Sequence, residues 1–284
     1  MRRAAALIAF LVFVPAVARA APVALKLTYV TYAAGFTTLK MTAILDLTNQ
    51  GYRLAVDYHT VGTIGFLFPG HDQVAADGTW QGASAAPQRF QSAGEWSGRK
   101  FAVRMRYAVG KPEILTLQPA QTTKREIVPA ALQAGTVDTV SAMALLIERM
   151  ADGEGCRMAL QVFDGRRLIA LSAQPAGRQR LGVTTRSFFH GVAERCDVTG
   201  RMLAGFLRSD GPAERAHVDR GAAWFAHPIP GVPVLPVRIS FSTKWFGAAT
   251  MYLTNIEAAP APQGLRRVAR SPAAPMSQED PAGH

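Results

Sequence analysis

Beyond residue 20, this chain of 284 residues has no apolar run long enough to cross a bilayer as a helix, a span that takes about 20 residues. Cysteine is scarce. Cys156 and Cys196 are the two present, and neither has a second cysteine or a histidine at ligand spacing. That argues against zinc, which needs three or four converging ligands. The histidines are His59, His71, His190, His217, His227 and His284, and no two of them sit four apart, as a helical metal site requires. A phosphate-binding GxxxxGK[ST] loop is missing, and no dinucleotide fingerprint follows a strand. GASAA at 82–86 lacks the closing glycine of a nucleophile elbow. Asp57 and His59, two apart on one strand face, come nearest to an acid–base pair, but exposed polar faces carry such pairs routinely. No enzyme class is supported, and neither a cofactor nor a metal is expected.

What is present starts with a leader. Met1-Arg2-Arg3 is a short cationic start, residues 4–17 are apolar except for Pro15, and Ala18-Arg19-Ala20 matches the small-x-small cleavage rule. Residues 1–20 therefore read as a signal peptide, cleaved before Ala21. No cysteine stands at the cleavage point, and Arg2-Arg3 lacks the longer consensus of a twin-arginine signal. The expectation is general secretion into the periplasm. In that oxidising compartment Cys156 and Cys196 read as one disulfide rather than two buried thiols.

Acidic residues are the other shortage, with 20 Asp+Glu against 31 Lys+Arg. Arg2, Arg3 and Arg19 leave with the leader, so the exported chain carries 28 cations against 20 anions, or +8. Anionic lipid headgroups and envelope polymers are the partners such a charge would meet; nucleic acid is the wrong partner for the compartment.

A period of two dominates up to about residue 257. Leu25, Leu27 and Tyr29 alternate with Lys26 and Thr28, and Ala34-Gly35 offers a turn. Leu39, Met41, Ala43, Leu45 and Leu47 share one face of residues 37–48; after Asn49-Gln50-Gly51, residues Tyr52, Leu54, Val56 and Tyr58 share the next. Runs at 86–95, 99–108 and 112–117 repeat the pattern, then 156–163, 167–173, 179–190, 194–207, 220–226, 234–243 and 248–256. Such alternation marks strands with one buried side. Short links between the early strands predict an antiparallel meander. Residues 227–236 (HPIPGVPVLP) hold too many prolines for a central strand and should lead into an edge strand.

Residues 137–150 break the rhythm, with Val140, Met143, Ala144 and Ile147 at helical spacing. Asp138 is the helix cap, its carboxylate able to accept the first free amides. From Ala258 onward, Ala, Pro, Arg and Ser prevail without apolar periodicity, which predicts a disordered tail over 258–284. The domain organisation is a leader at 1–20, one β-rich domain at 21–257, and that tail. The fold class is mainly β: a large curved antiparallel sheet, half-barrel or barrel-like, with one main helix.

The sharpest local pattern is Asp164-Gly165-Arg166-Arg167 between two alternating runs. Asp-Gly there predicts a two-residue type I′ hairpin with positive φ at both positions, Arg167 opening the return strand. A second reading stays open, in which Arg166 or Arg167 meets an anionic ligand or an ion-pair partner such as Glu194 or Asp197.

These residues resemble a known family in their order along the chain. CRMALQVFDGRR at 156–167, DTVSAM at 138–143, ERCDV at 194–198, Gly205-Phe206 and PVRI at 236–239 are similar to stretches of the exported bacterial proteins of domain-of-unknown-function family 3108. TYVTYAAGFTTLKM at 28–41 and AVDYHTVG at 55–62 resemble that family's first strands, so the likeness covers most of residues 25–257. The family commonly has Pro where Thr139 stands here. The resemblance implies a β-rich envelope protein with no established activity.

Two functions from different classes fit. One is a binding module whose curved sheet encloses an apolar ligand such as a lipid. The alternative is a structural or adaptor protein filled by its own side chains and acting through its surface. The volume left inside the sheet separates them. Oligomeric state is left open by the sequence.

Overall fold

The computed structural model describes residues 24–120, 124–243 and 247–260. The expected signal peptide at 1–20 and its expected cleavage point lie outside the described residues, as do residues 261–284 of the expected tail. Among the described residues no helix is long and apolar enough to cross a membrane.

The first half of the chain is a meander: β1 (Ala24–Ala33), β2 (Phe36–Thr48), β3 (Gly51–Thr60), β4 (Gly70–Gln81), β5 (Ser84–Trp96), β6 (Arg99–Ala108) and β7 (Lys111–Gln118). Helix α1 (Gly62–Leu67) links β3 to β4. Helix α2 (Thr139–Ala151) follows, and then β8 (Met158–Phe163), β9 (Leu168–Leu181), β10 (Gly191–Ala204), α3 (Pro212–Ala216), β11 (Val218–Ala226), β12 (Leu235–Thr243) and β13 (Gly247–Ala259). All 13 strands make one sheet, ordered β7-β6-β5-β4-β3-β2-β1-β13-β12-β11-β10-β9-β8. Consecutive strands pair except β7 and β8, and the two meanders join where β1 lies antiparallel to β13. Lys26 and Glu257 form an ion pair of 3.1 Å across that seam. The end strands β7 and β8 do not pair, so the sheet curls without closing.

Sheet twist accumulates strand by strand and brings the two arms round one helix. Helix α2 packs on β3, β4 and β5 from one side and on β8 and β12 from the other. Val140, Ala144 and Ile147 are buried as their spacing implies, but Ala142, Leu145, Leu146 and Met150 are buried too. A helix lying in a concavity is covered from more than one direction, and one amphipathic face does not describe it. Met143 alone among its large apolar side chains stays partly exposed.

Several elements depart from the sequence expectation. The runs at 167–173 and 179–190 are one strand, β9, ending at Leu181; residues 182–190 are mostly irregular. Strand β12 is interior, between β11 and β13. Its Pro236 is tolerated beside a register shift in the β11–β12 ladder, where Val237 of β12 is the extra residue between Pro236 and Arg238. Neither α1 nor β4 shows a clean period, since GHDQVAADGTWQ mixes small and polar residues on both faces. Strand β13 runs two residues past the boundary read at 257, pairing Ala258 with Leu25 and Ala259 with Ala24.

Cys156 and Cys196 form a disulfide with Cα atoms 6.1 Å apart. Cys156 sits just before β8 rather than within it, so the bond ties the chain leaving α2 to β10. Both cysteines are buried against the same core as α2, with Met150 Sδ 3.9 Å from Cys196 Sγ. Replacing both by alanine should lower unfolding free energy by on the order of 4 kcal/mol, the chain-entropy value for a loop of this length. Chemical denaturation of the pair variant against the wild type checks this; a loss below about 1 kcal/mol would contradict the stapling role.

Candidate functional site

The two arms of the sheet meet α2 with side chains of different size. On the β3–β6 arm the inward positions include Tyr52, Leu54, Phe90 and Met105, all buried in one core with the helix. On the β9–β11 arm they include Ala173, Val198, Gly200, Gly221 and Ala223, which cannot reach as far. The result is a cavity of ≈ 470 Å³ between the first half of α2 and strands β8–β12. Ala142, Met143 and Leu146 form the helix side of its wall, with Met158, Val162, Leu171 and Ile239 facing them. Thr139, Asp219, Arg220, Ser240 and Ser242 also border it, with the Phe241 ring partly exposed among them. This volume is within the usual range of small-molecule sites, about 300–1,000 Å³.

Polar groups anchor the helix start beside this space. Asp138 is fully buried; its Oδ1 accepts from the amides of Val140 at 3.0 Å and Ser141 at 2.8 Å. The Ser141 hydroxyl donates to Asp138 Oδ2 and accepts from the Tyr52 hydroxyl, each at 2.6 Å. Burial pushes the Asp138 carboxyl up to about 6, against the opposing pull of its hydrogen bonds. A second inward carboxylate, Asp72 on β4, accepts from the Tyr58 hydroxyl at 2.8 Å and from Ser92 Oγ at 3.1 Å. Its burial likewise raises it above the ordinary carboxylate range. Asp57 and His59 are exposed on the opposite face of β3, where Asp57 accepts from Gln73.

The DGRR turn takes a different form from the hairpin expected on Asp164-Gly165. Phe163 pairs with Leu168, and the Asp164 amide donates to the Arg167 carbonyl at 3.3 Å, so the tip is Gly165-Arg166, one residue later than expected. Gly165 has φ +92°, while Asp164 is not in the left-handed region. Asp164 works through its side chain instead: Oδ1 accepts from the amides of Arg166 at 2.9 Å and Arg167 at 2.7 Å. Its Oδ2 takes Arg167 Nε at 2.7 Å, so the partner of Arg167 lies inside the turn, and Asp197 pairs with Arg195. Arg166 donates to the carbonyl of Pro119. A Cβ on Gly165 would lie 2.7 Å from a Val103 methyl on β6, so this tip packs against the opposite arm.

Sequence reasoning read Asp138 as the helix cap and paired the cysteines, and it put Tyr52 and Tyr58 on one strand face, but it missed their hydrogen bonds to Ser141 and Asp72, and Asp72 and Ser92 altogether. Tyr and Asp at alternate strand positions look like an ordinary mixed face until the cross-strand partners are known. The cavity too had no signal beyond the small residues of β9–β11.

Comparison with known proteins gives a family and a fold. The family model described as "Protein of unknown function (DUF3108)" matches residues 25–254. No curated protein matches the sequence. Among solved structures, the chain is similar to a beta-barrel-like protein of domain of unknown function DUF1849 from Brucella abortus, at 12% identity and a TM-score of 0.53. That match covers 84% of this chain and 98% of the other, and at such identity the likeness is one of fold.

Two expectations follow from the buried groups. The Asp138 carboxyl is raised from 3.8 to about 6, so folding favours its protonated form. Its contribution to stability is present below the unfolded value and is lost as pH rises through the folded one. Asp138→Asn keeps the Oδ1 cap and should flatten this part of the pH–stability curve. Urea denaturation of both proteins across that range checks it, with Asp72 common to both. In the turn, Gly165→Val should lose about 2 kcal/mol or more through strain and the Val103 contact. Arg167→Ala should lose at most about 1 kcal/mol, since its pair is half exposed; thermal melts distinguish the two.

Proposed function

We infer the function from one premise: the chain belongs to the DUF3108 family of proteins of unknown function. We propose that it is a periplasmic, non-enzymatic envelope protein that holds an apolar ligand, such as a lipid acyl chain, between α2 and the β8–β12 arm. The observation that carries this reading is the cavity of ≈ 470 Å³ walled by Met, Leu, Ile, Val and Ala side chains. Met143 and Met158 suit a chain-like ligand, because unbranched thioethers adapt to irregular shapes. Arg220 at the border offers a charge to an anionic head. The leader-like residues 1–20 and the disulfide support a periplasmic location. A structural or adaptor role is the outcome if nothing enters the cavity.

Gly200 provides the test. It lines the cavity, its φ is not in the left-handed range, and a Cβ there would meet Ile169 only at 3.6 Å. Gly200→Leu should fill the cavity without strain and leave the melting temperature equal or higher, since strand glycines are weak points. Binding of a fluorescent fatty acid should fall about tenfold or more. A wild-type protein that does not bind the probe, or a variant that binds it equally well, would sink the reading.

A further inference from the structure

One end of the sheet carries an apolar cluster that nothing in the chain covers among the described residues. The β1–β2 turn leaves Phe36 67% exposed. Helix α1 packs against that turn, with the Val61 amide donating to the Thr38 carbonyl at 3.0 Å. It leaves Phe66, Leu67 and Phe68 exposed at 86%, 57% and 54%. On the other side the Ser97 amide donates to the Pro69 carbonyl at 2.8 Å, joining the α1 segment to the β5–β6 turn. There Trp96 lies on Gly70 so closely that a Cβ would stand 2.1 Å from its ring. Trp96, Arg99, Lys100, Phe101 and Pro119 line a surface hollow at this place, and Arg166 of the DGRR turn reaches the same Pro119 carbonyl. Residues 60–70 contain no Lys, Arg, Asp or Glu. The flanking charges are Lys40, Arg99, Lys100 and Arg166, against Glu95 and the Asp164 that organises the turn.

We propose that this end of the sheet docks on an anionic lipid bilayer. Phe36, Phe66, Leu67 and Phe68 enter the boundary between headgroups and acyl chains, while Trp96, Arg99, Lys100 and Arg166 lie at the level of the lipid phosphates. Large exposed apolar patches mark interaction sites. An apolar tip rimmed by cations and an interfacial tryptophan matches the chemistry of a membrane surface. A second copy of the chain would bring the same excess of cations and repel. The cavity shares this end: Phe241 pairs with Ala249, Ala249 with Ala33, and Ala33 with Phe36. Three strand spacings, roughly 14 Å, therefore separate a cavity-lining ring from the tip. Docking stands whether or not the cavity holds a ligand. If it does, the cavity border would face the membrane.

Flotation of the full chain with vesicles tests the proposal. Wild type should bind vesicles of phosphatidylethanolamine and phosphatidylglycerol, and bind phosphatidylcholine vesicles more weakly. Phe66→Ser with Phe68→Ser should weaken binding about tenfold or more. Arg99→Gln with Lys100→Gln should weaken it by a similar factor on anionic vesicles alone, most at low salt. Both variants should keep the wild-type melting temperature and, without vesicles, wild-type fatty-acid binding, so that docking and cavity readings fail separately. Unchanged flotation of the aromatic variant would overturn the proposal. So would binding to a soluble anionic polysaccharide that matches vesicle binding and ignores the Phe changes, or a dimer that those changes dissolve.

Discussion

One constraint organises this molecule: α2 is apolar around most of its circumference and must be covered from opposite sides. A single flat layer can bury only one face of a helix. Here one continuous sheet does the work of two layers, because its twist carries β3–β5 and β8–β12 round to opposite flanks of the same helix. The joint between β1 and β13 makes this possible. It fuses two meanders, each too small to wrap the helix, into one surface. The disulfide then fixes where the chain leaves the helix, and the DGRR tip of one arm rests on Val103 of the other. Contact between arms replaces the hydrogen-bonded closure of a true barrel.

Wrapping a helix start in a sheet also buries its free amides, and those must be satisfied without water. Asp138, Ser141 and Tyr52 meet that need as a chain of hydrogen bonds reaching from the helix to β3. The carboxylate suffers for its burial, which is why it is raised to about 6. The same geometry sets where space remains. Bulky side chains fill the β3–β6 side, whereas alanines and glycines on β9–β11 leave the cavity beside Ala142 and Met143. An apolar cavity at one flank of α2 and an apolar, cation-rimmed tip at the same end of the sheet are the features on which the proposed lipid-related function rests.

The period-two runs made most strands readable, because those strands turn one face to the core and the other to solvent. Legibility failed where that condition failed. Strand β4 places Asp72 inward and Ala75 outward, so its pattern lacks contrast. The outer edge of β9 is polar and exposed over seven residues, which breaks one long strand into two apparent runs. Pro236 argued for an edge because a proline cannot donate to a ladder, but a register shift next to it, with Val237 as the extra residue of β12, accommodates it inside the sheet. Asp164 and Gly165 announced a turn correctly; the position of its tip and the role of the Asp164 side chain depend on which residues pair, and Phe163 pairs with Leu168.

The sequence by itself determined the mainly β class, the one long helix with Asp138 at its head, the family resemblance, and the two cysteines available to bond. Each of these rests on local chemistry: side-chain alternation, a carboxylate near free amides, the order of short motifs. Only the tertiary structure decided that the sheet stays open, that β12 lies inside it, and that small residues from three strands meet to leave a cavity. Only it brought Phe36, α1 and Trp96 to one end, from segments up to 60 residues apart. Those features depend on cross-strand register and on the accumulated twist of 13 strands, quantities that no single stretch of residues specifies.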